Sequence, residues 1–283
     1  MPRETTQAKR MWRTFKKNRT ALVGAIGVIV VLLLAIFGPF FMPYDPVEQH
    51  LLDQLSPPSA RFPFGTDVFG RDVLSRSILG SRVSLAVGLV SVMFAVVLGV
   101  PTGILAGYKG GLIDTGITRV VDVLMSFPVL ILGLMLRAAI GGGFIGLVLA
   151  IGIAITPRFI RLARAPTISI REKEYIEAAK AVGVSEIRLM FRHIMPNVLG
   201  DVAVMSTLWI ALAIRLEANL SFIGIGIPPP TPSWGVMIRS GVDFLTNAPW
   251  ISTIPGIFIL FTVMSFNLIG DGIRDIIDPR LQQ

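Results

Sequence analysis

Long apolar runs dominate the chain and are separated by short polar stretches. Runs of roughly 20 apolar residues, the length with which a helix crosses a hydrocarbon core, lie at about 21–42, 83–107, 117–139, 144–162, 198–222 and 250–271. They are continuously apolar, whereas strands of a membrane barrel alternate between apolar and polar positions. A helix also satisfies its own backbone polar groups inside lipid. The pattern therefore predicts an all-α membrane protein with six transmembrane helices.

The first run follows a basic segment, as the core of a secretory signal does. Its length from Ala21 to Met42 and the lack of a small-residue cleavage pattern around Gly38-Pro39-Phe40-Phe41 favour a retained anchor instead. The predicted organisation is a cytoplasmic N-terminal segment (1–20), a first transmembrane helix (21–42), an extracytoplasmic segment (43–82), a five-helix core (83–274) that includes a polar loop at 165–197, and a cytoplasmic tail (275–283).

Basic residues in the connections predict the orientation. Cytoplasmic loops carry an excess of Lys and Arg, and one side of the predicted topology holds most of them: Lys109, Arg119, Arg161, Arg164, Arg171, Lys173, Lys180, Arg188, Arg192, Arg274 and Arg280. On the other side, the arginines of the 43–82 segment are offset by aspartates and glutamates. We therefore expect both termini in the cytoplasm.

Composition agrees with a membrane protein, because 53% of the residues are hydrophobic, 16% are charged and the mean hydropathy is +0.71. The net charge of +8 follows the topology and favours contact with anionic lipid. No basic face is interleaved with aromatic residues, so nucleic acid is not expected as a partner.

Several chemistries are excluded by what the sequence lacks. The chain has no Cys and only His50 and His193, which rules out thiol catalysis, disulfides and cysteine-rich metal sites. It contains no P-loop, no H-E-x-x-H and no G-x-S-x-G motif, and the Gly141–Gly143 triplet is expected to form a tight turn. We expect no catalytic residue, metal or cofactor in this chain, which must then borrow energy from a partner or follow a gradient.

A polar, helix-prone island lies between Thr167 and Asn197 and interrupts the apolar pattern. A loop of this length in a tightly connected bundle is usually functional. We predict two short helices joined at Gly183, where a positive φ ends the first helix, with Ser185 capping the second. Ile176, Ala179, Ala181 and Val182 give the first helix a small, apolar surface. The alternative is a solvated amphipathic loop without a partner.

Four polar residues within the apolar runs are singled out as functional candidates, because ionisable groups at membrane depth commonly have functional roles. They are Arg137, Arg215, Glu217 and Asn267. Arg137 lies near the outer end of its run and is expected to reach the interface. Arg215 and Glu217, two positions apart, do not face each other on a helix. The hypothesis is that one of these two lines the outward end of a pathway; a structural bond to a neighbouring helix is the alternative.

Motifs along nearly the whole chain resemble a known family. Glu177-Ala178-Ala179, Gly183 and Pro196 resemble the EAA signature of permease subunits of bacterial ABC importers. Further stretches are similar to the C-type subunits of the peptide and nickel permease group: Gly65-Thr66-Asp67, Gly70-Arg71-Asp72, Ser75-Arg76, Arg192-His193-Ile194-Met195-Pro196-Asn197, Pro229-Pro230-Thr231-Pro232-Ser233-Trp234-Gly235, Gly270-Asp271-Gly272 and Asp278-Pro279-Arg280. The chain departs from the general EAA pattern at His193 and Met195, and it has Thr156 near a position where the family commonly has an aromatic residue.

The resemblance implies a type I ABC importer permease fold with cytoplasmic EAA coupling helices. It implies coupling to the ATPase through these residues: Tyr175, Glu177, Ala178, Ala179, Val182, Gly183, Arg192 and Pro196. The implied partners are a homologous B-type permease, two ATPase subunits that bind ATP and Mg, and an extracytoplasmic substrate-binding protein. Asp67, Asp72, Pro232 and Trp234 are candidate docking residues for that binding protein, with packing against the partner permease as the alternative for the Pro228–Pro230 run.

The implied function is an alternating-access pathway for di- or oligopeptides in a bacterial or archaeal cytoplasmic membrane. The same role for nickel, glutathione or another small solute is the alternative. A stand-alone secondary transporter is a different class, for which internal repeats are typical and none is evident. A membrane enzyme would lack a nucleophile and its base.

Overall fold

The computed structural model describes residues 18–277, and side chains to residue 275. Most of the predicted segments 1–20 and 275–283, with the Asp278-Pro279-Arg280 motif, lies outside this range. The described chain is helical and contains no strand, apart from an isolated antiparallel bridge between Thr66 and Asp72.

The helices are numbered in chain order. They are α1 (Arg19–Phe37), α2 (Val73–Lys109), α3 (Gly111–Met125), α4 (Val129–Ile140), α5 (Gly143–Arg171), α6 (Glu174–Ala181), α7 (Glu186–Ile223), α8 (Trp234–Gly241) and α9 (Trp250–Ile277). Short 3₁₀ turns occupy Gly38–Phe41, Leu51–Asp53 and Val242–Phe244.

Five helices of the described chain, α1, α2, α5, α7 and α9, are long and apolar enough to cross a membrane. The predicted span at 117–139 is not one helix, because α3 and α4 meet at an angle of 97°. Pro128 explains the break: it has no N–H to donate, and its ring disfavours a helical conformation at Phe127. The bent pair brings the total to six if it is counted as one span.

Helix α2 begins at Val73, well before the apolar run that predicted it. Asp72 caps it, since one carboxylate oxygen accepts hydrogen bonds from the backbone N–H and the hydroxyl of Ser75 at 2.7 and 2.6 Å. The first turns carry the polar residues Ser75, Arg76 and Ser77, so the apolar pattern does not indicate the start of the helix. The predicted extracytoplasmic segment 43–82 therefore includes the start of α2.

Two compact units can be separated within the chain. One comprises 1–89, 142–147 and 207–283, and the other 90–141 and 148–206. In the first unit α1 lies against α9 through small residues: a Cβ added to Gly24 would meet the backbone of Leu268, and one added to Gly27 would meet the Cβ of Ser265. Trp234, completely buried, donates from Nε1 to the Ser77 carbonyl at 3.0 Å.

In the second unit a row of glycines brings two helix backbones together. Gly99, Gly103 and Gly107 recur every four residues on α2, so they share one face. A Cβ added to Gly103 would lie 2.9 Å from the Cβ of Ala163 and 3.0 Å from the carbonyl carbon of Ile160 on α5. Small residues commonly permit such close helix contacts in membranes. The pair α2 and α5 is therefore a tightly packed body.

Substitution of Gly103 by alanine should destabilise the protein although alanine favours helices. The added methyl overpacks the contact with α5 at a cost of about 1–3 kcal/mol, which exceeds the helix gain of roughly 0.5–1 kcal/mol. The matched control is Gly116→Ala on α3, where an added Cβ meets nothing within 4 Å. We expect Gly103→Ala to lower the apparent melting temperature of the purified protein and Gly116→Ala to keep or raise it. Equal effects would contradict the close contact.

Candidate coupling site and pathway residues

Helix α6 and the start of α7 form an elbow, defined as residues 172–197, that presents most of its signature residues to solvent. Tyr175, Ala178 and Val182 are exposed on one face at spacings of three and four residues, and Val182 is 81% exposed. Ala179 is half-buried beside them. Glu177, Gly183, Arg192 and Pro196 are also exposed. By contrast, Ile176 is fully buried and fixes the opposite face to the protein.

Gly183 ends α6 in the way the sequence predicted. Its φ is +82°, a left-handed conformation that glycine adopts without steric cost. The Gly183 N–H donates to the Lys180 carbonyl at 2.9 Å, and the Val184 N–H donates to the Ala179 carbonyl at 3.1 Å. This pair of bonds is the Schellman motif, which satisfies carbonyls at the end of a helix. An added Cβ would meet nothing within 4 Å, so backbone conformation alone favours glycine here.

The second arm of the elbow differs from the prediction. Instead of a separate short helix, the segment from Glu186 runs without interruption into the fifth predicted span as α7. Ser185 occupies the N-cap position but its side chain makes no capping hydrogen bond. A π-helical stretch from Leu189 to Ile194 joins the two parts and buries both of these end residues completely. The elbow is thus one short helix attached by a turn to the end of a long helix.

The C-terminal end of α2 holds the elbow through two contacts and the adjacent end of α5 through a third, none of which the sequence predicts. Arg171 donates to the Gly107 carbonyl at 2.9 Å. Lys180 lies over the ring of Tyr108, 5.1 Å from its centroid. Lys109 Nζ lies 2.5 Å from a carboxylate oxygen of Glu186. The sequence signal was only basic character near a span end, which we had interpreted as topology.

Ion pairs also join α3 to the C-terminal half of α5. Arg164 donates through Nε and Nη2 to both carboxylate oxygens of Asp114 at 2.5 and 2.6 Å, a bidentate geometry that fixes orientation. Arg161 pairs with Asp122 at 2.8 Å. These arginines, assigned from the sequence to the cytoplasmic charge bias, also bind neighbouring helices within this unit.

The polar pair Arg215 and Glu217 is divided between two sides of α7. Glu217 is completely buried, and its two carboxylate oxygens accept hydrogen bonds from Ser84 at 2.8 Å and Ser221 at 2.7 Å. Ser84 in turn accepts from the Trp234 backbone N–H at 3.3 Å. Glu217 therefore ties α7 to α2 and α8, whereas Arg215 is exposed. For Glu217 the geometry matches the structural alternative, a bond to a neighbouring helix.

Arg137 lies near the end of α4. It is 5% exposed in the described chain and donates to the carbonyl of Gly141, the residue that follows α4. That its side chain reaches the membrane interface stays a prediction. Carbonyls at a helix end lack intrahelical donors, which explains why a cation near the end of α4 folds back over it.

The candidate docking residues are corrected by their burial. Asp67, Asp72 and Trp234 are at most 3% exposed, and Pro232 is also buried. Asp67 pairs with Arg71 Nε at 2.7 Å and with Arg76 Nε at 3.4 Å. These side chains have structural roles in the described chain and cannot offer a free surface. The sequence pattern missed this because prolines and aspartates are typical of both exposed loops and buried turns.

The predicted extracytoplasmic segment 43–82 also contains exposed apolar residues. Leu51 and Leu52 form a 3₁₀ turn, and both are largely exposed to solvent. The neighbouring residue Asp53 is tied down by an ion pair with Arg61 at 2.9 Å. This turn is a better candidate for contact with a partner than the buried residues are.

Comparisons with known proteins agree on one family. A family model described as binding-protein-dependent transport system inner membrane component matches residues 99–283. A second model, the N-terminal TM domain of oligopeptide transport permease C, matches residues 6–58.

Individual relatives cover nearly the whole chain. A di/tripeptide transport system permease protein from Pseudomonas aeruginosa (strain UCBPP-PA14) is 39% identical over 97% of this chain and 92% of its own length. A glutathione transport system permease protein from Pectobacterium atrosepticum is 36% identical over 98% of this chain and 92% of its own length. An inward-facing structure of the MetNI methionine ABC transporter matches with a TM-score of 0.58 at 18% identity, covering 72% of this chain and 97% of that one. That likeness confirms the predicted type I permease fold.

Replacement of Gly183 should separate backbone strain from side-chain bulk. A valine at φ +82° is strained, since left-handed conformations cost L-residues roughly 1–2 kcal/mol and β-branched residues more, whereas asparagine tolerates them. We expect Gly183→Val to increase the rate of proteolytic cleavage in the elbow more than about tenfold, and Gly183→Asn to change that rate by less than about twofold. Limited proteolysis of the purified protein measures this difference. Equal cleavage rates for the two variants would contradict the assigned cap.

Proposed function

Because the chain belongs to the family of binding-protein-dependent transport system inner membrane components, the permease subunits of bacterial ABC importers, we propose that its elbow receives the movement of an ATPase subunit. The observation that carries this proposal is the exposed face of α6, with the neighbouring exposed Ile187, on a part of the chain that is fixed to α2. Exposed apolar side chains on a polar surface are typical of contacts with another protein.

The connections of the elbow suggest how the movement is transmitted. A movement of the elbow reaches α2 through Lys180 and the Lys109–Glu186 pair, and Arg171, at the adjacent end of α5, also bonds to α2. It reaches α5 because the glycine row presses α2 against that helix. It enters α7 directly, since the second arm of the elbow is the beginning of α7. Helices that move as bodies can open one side of a pathway and close the other.

The proposed assembly contains a homologous B-type permease, two ATPase subunits and an extracytoplasmic substrate-binding protein. ATP and Mg would be bound by the ATPase subunits, so this chain is proposed to be a non-catalytic subunit. The chain is a multi-pass protein of a bacterial importer family, and we propose that both termini lie in the cytoplasm because Lys and Arg residues are concentrated in the connections on one side of the predicted topology. The exposed turn Leu51–Asp53 would then face the binding protein.

Peptides are the proposed cargo. The relative from Pseudomonas aeruginosa is named for di- and tripeptides and shares 39% identity over nearly the full chain. Glutathione is the second candidate, because a relative of nearly the same coverage is named for it. Both solutes are short peptides with carboxylates, so one pathway chemistry suits either.

Charge placed on the exposed apolar residues of the elbow should weaken its contact with the ATPase subunits. Val182→Asp combined with Ile187→Asp puts carboxylates where apolar burial would stabilise the complex by roughly 1.5–3 kcal/mol per side chain. We expect at least about tenfold less ATPase subunit to co-purify with this variant, with unchanged yield of the permease itself.

The matched control is Leu112→Asp, at an apolar position that is 91% exposed at the start of α3 and outside the elbow. Normal co-purification of the Val182/Ile187 variant, or equal loss in the Leu112 variant, would argue against the elbow as the contact.

Cargo is tested by competition in proteoliposomes that contain the whole importer. We expect import of a labelled dipeptide to require both ATP and the binding protein, and to be reduced by unlabelled di- and tripeptides more than by glutathione. Nickel should not compete. Stronger competition by glutathione than by dipeptides would select the second candidate, and import without ATP would indicate a secondary transporter.

A further inference from the structure

One face of α7 carries two exposed polar side chains, followed by an exposed phenylalanine, at positions that belong to a helix apolar enough to span a membrane. Arg215, Asn219 and Phe222 are exposed and follow each other at spacings of four and three residues, so they lie in one row. Ile214, Glu217 and Ser221 occupy a different side, where they are buried against the rest of the unit. The row therefore lies on the side of α7 that faces away from the core of its unit.

The depth of Arg215 makes this exposure unusual. Arg215 precedes the last residue of α7, Ile223, by eight positions, which corresponds to about 12 Å along a helix that rises 1.5 Å per residue. A charged side chain at such a depth is expected to face a bundle interior or a water-filled cavity rather than acyl chains. Within residues 18–277, Arg215 takes part in no ion pair.

The outer end of this row is held in place. Arg239 of α8 donates to the Phe222 carbonyl at 2.9 Å and so caps the end of α7. Glu217, two positions after Arg215, is bonded to Ser84 and Ser221 and so fixes the rotation of the helix about its axis. The direction of Arg215 is consequently determined by buried contacts on the other side of α7.

We propose that Arg215 binds the C-terminal carboxylate of the peptide as it passes through the importer, with Asn219 one turn further out to bond its backbone. The inference rests on the proposed peptide cargo. A guanidinium matches a carboxylate through two parallel hydrogen bonds. Every linear peptide carries this carboxylate whatever its side chains are, so one arginine serves peptides of many sequences. Because Arg215 is exposed in the described chain, its contact with the carboxylate would remain hydrated and would release the peptide readily.

The first test compares two substrates in the complete reconstituted importer. A dipeptide and its C-terminal amide are each supplied at concentrations that saturate the binding protein, and initial import rates are measured for the wild type, Arg215→Gln and Arg215→Lys. We expect Arg215→Gln to reduce import of the free dipeptide about tenfold, a change typical of losing a charged hydrogen-bond partner, and to change import of the amide less than about twofold relative to wild type. Arg215→Lys keeps the positive charge but cannot make two parallel hydrogen bonds, so its import rate for the free dipeptide should lie between those of the wild type and Arg215→Gln.

The control for a glutamine on an exposed helix face is Met264→Gln on α9, which is 56% exposed among apolar neighbours. It should import both substrates at wild-type rates. An equal loss of both substrates in Arg215→Gln, or no loss, would overturn the proposal. A wild-type importer that moves neither substrate with ATP and binding protein would instead refute the proposed function.

A second measurement uses the fact that the chain has no cysteine. Arg215→Cys should react with a water-soluble cationic thiosulfonate, and the positively charged adduct should restore import of the free dipeptide. A neutral adduct of similar size should not restore it. Lack of reaction would place residue 215 against lipid or protein. Equal rescue by the neutral adduct would show that import does not need a positive charge at this position. Either result overturns the proposal.

Discussion

The contact between the backbones of α2 and α5 supports the rest of this architecture. Lipid tails are as apolar as leucine, so apolar burial gives little drive for helices to associate inside a membrane. Association then depends on close packing, and Gly99, Gly103 and Gly107 allow it because they lack side chains on the shared face. The C-terminal end of the same helix, at Tyr108 and Lys109, carries the elbow. One close contact therefore positions both the bundle and the surface proposed to receive force.

Polar groups within the helices follow a second constraint, which is that each needs a partner where water is scarce. Glu217 has two serine donors, Arg164 has both oxygens of Asp114, and Arg137 has the Gly141 carbonyl. The bonds of Glu217 to Ser84 and of Arg164 to Asp114 join distant stretches of the chain, whereas that of Arg137 is local. Arg215 differs, because it faces outward from the described chain. That contrast is the reason to assign it to the cargo rather than to the fold.

The sequence predicted the long helices well, since a continuous apolar run has few alternatives to a helix in lipid. It predicted helix boundaries less well where polar residues or a proline interrupt the apolar pattern. The polar first turns of α2 concealed the start of that helix, and Pro128 divided a run that is apolar throughout. The cap at Gly183 was foreseen because a glycine defines it locally. The predicted small apolar surface of α6 was correct for the exposed Val182 but wrong for Ile176, which is buried. The burial of Asp67, Asp72, Pro232 and Trp234 was not, because burial depends on contacts between distant residues.

The sequence by itself determined that the protein is helical and spans a membrane, that the first helix of a polar elbow ends at Gly183, and that its motifs resemble those of an importer permease. These properties are set by composition, period and residue type within short stretches. The tertiary structure decided which polar residues are enclosed and which are free. Arg215 and Glu217 are two positions apart on one helix, yet only Glu217 meets Ser84, a residue 133 positions away. Helical geometry can place two side chains on different sides, but only packing against the rest of the chain selects the side that is buried.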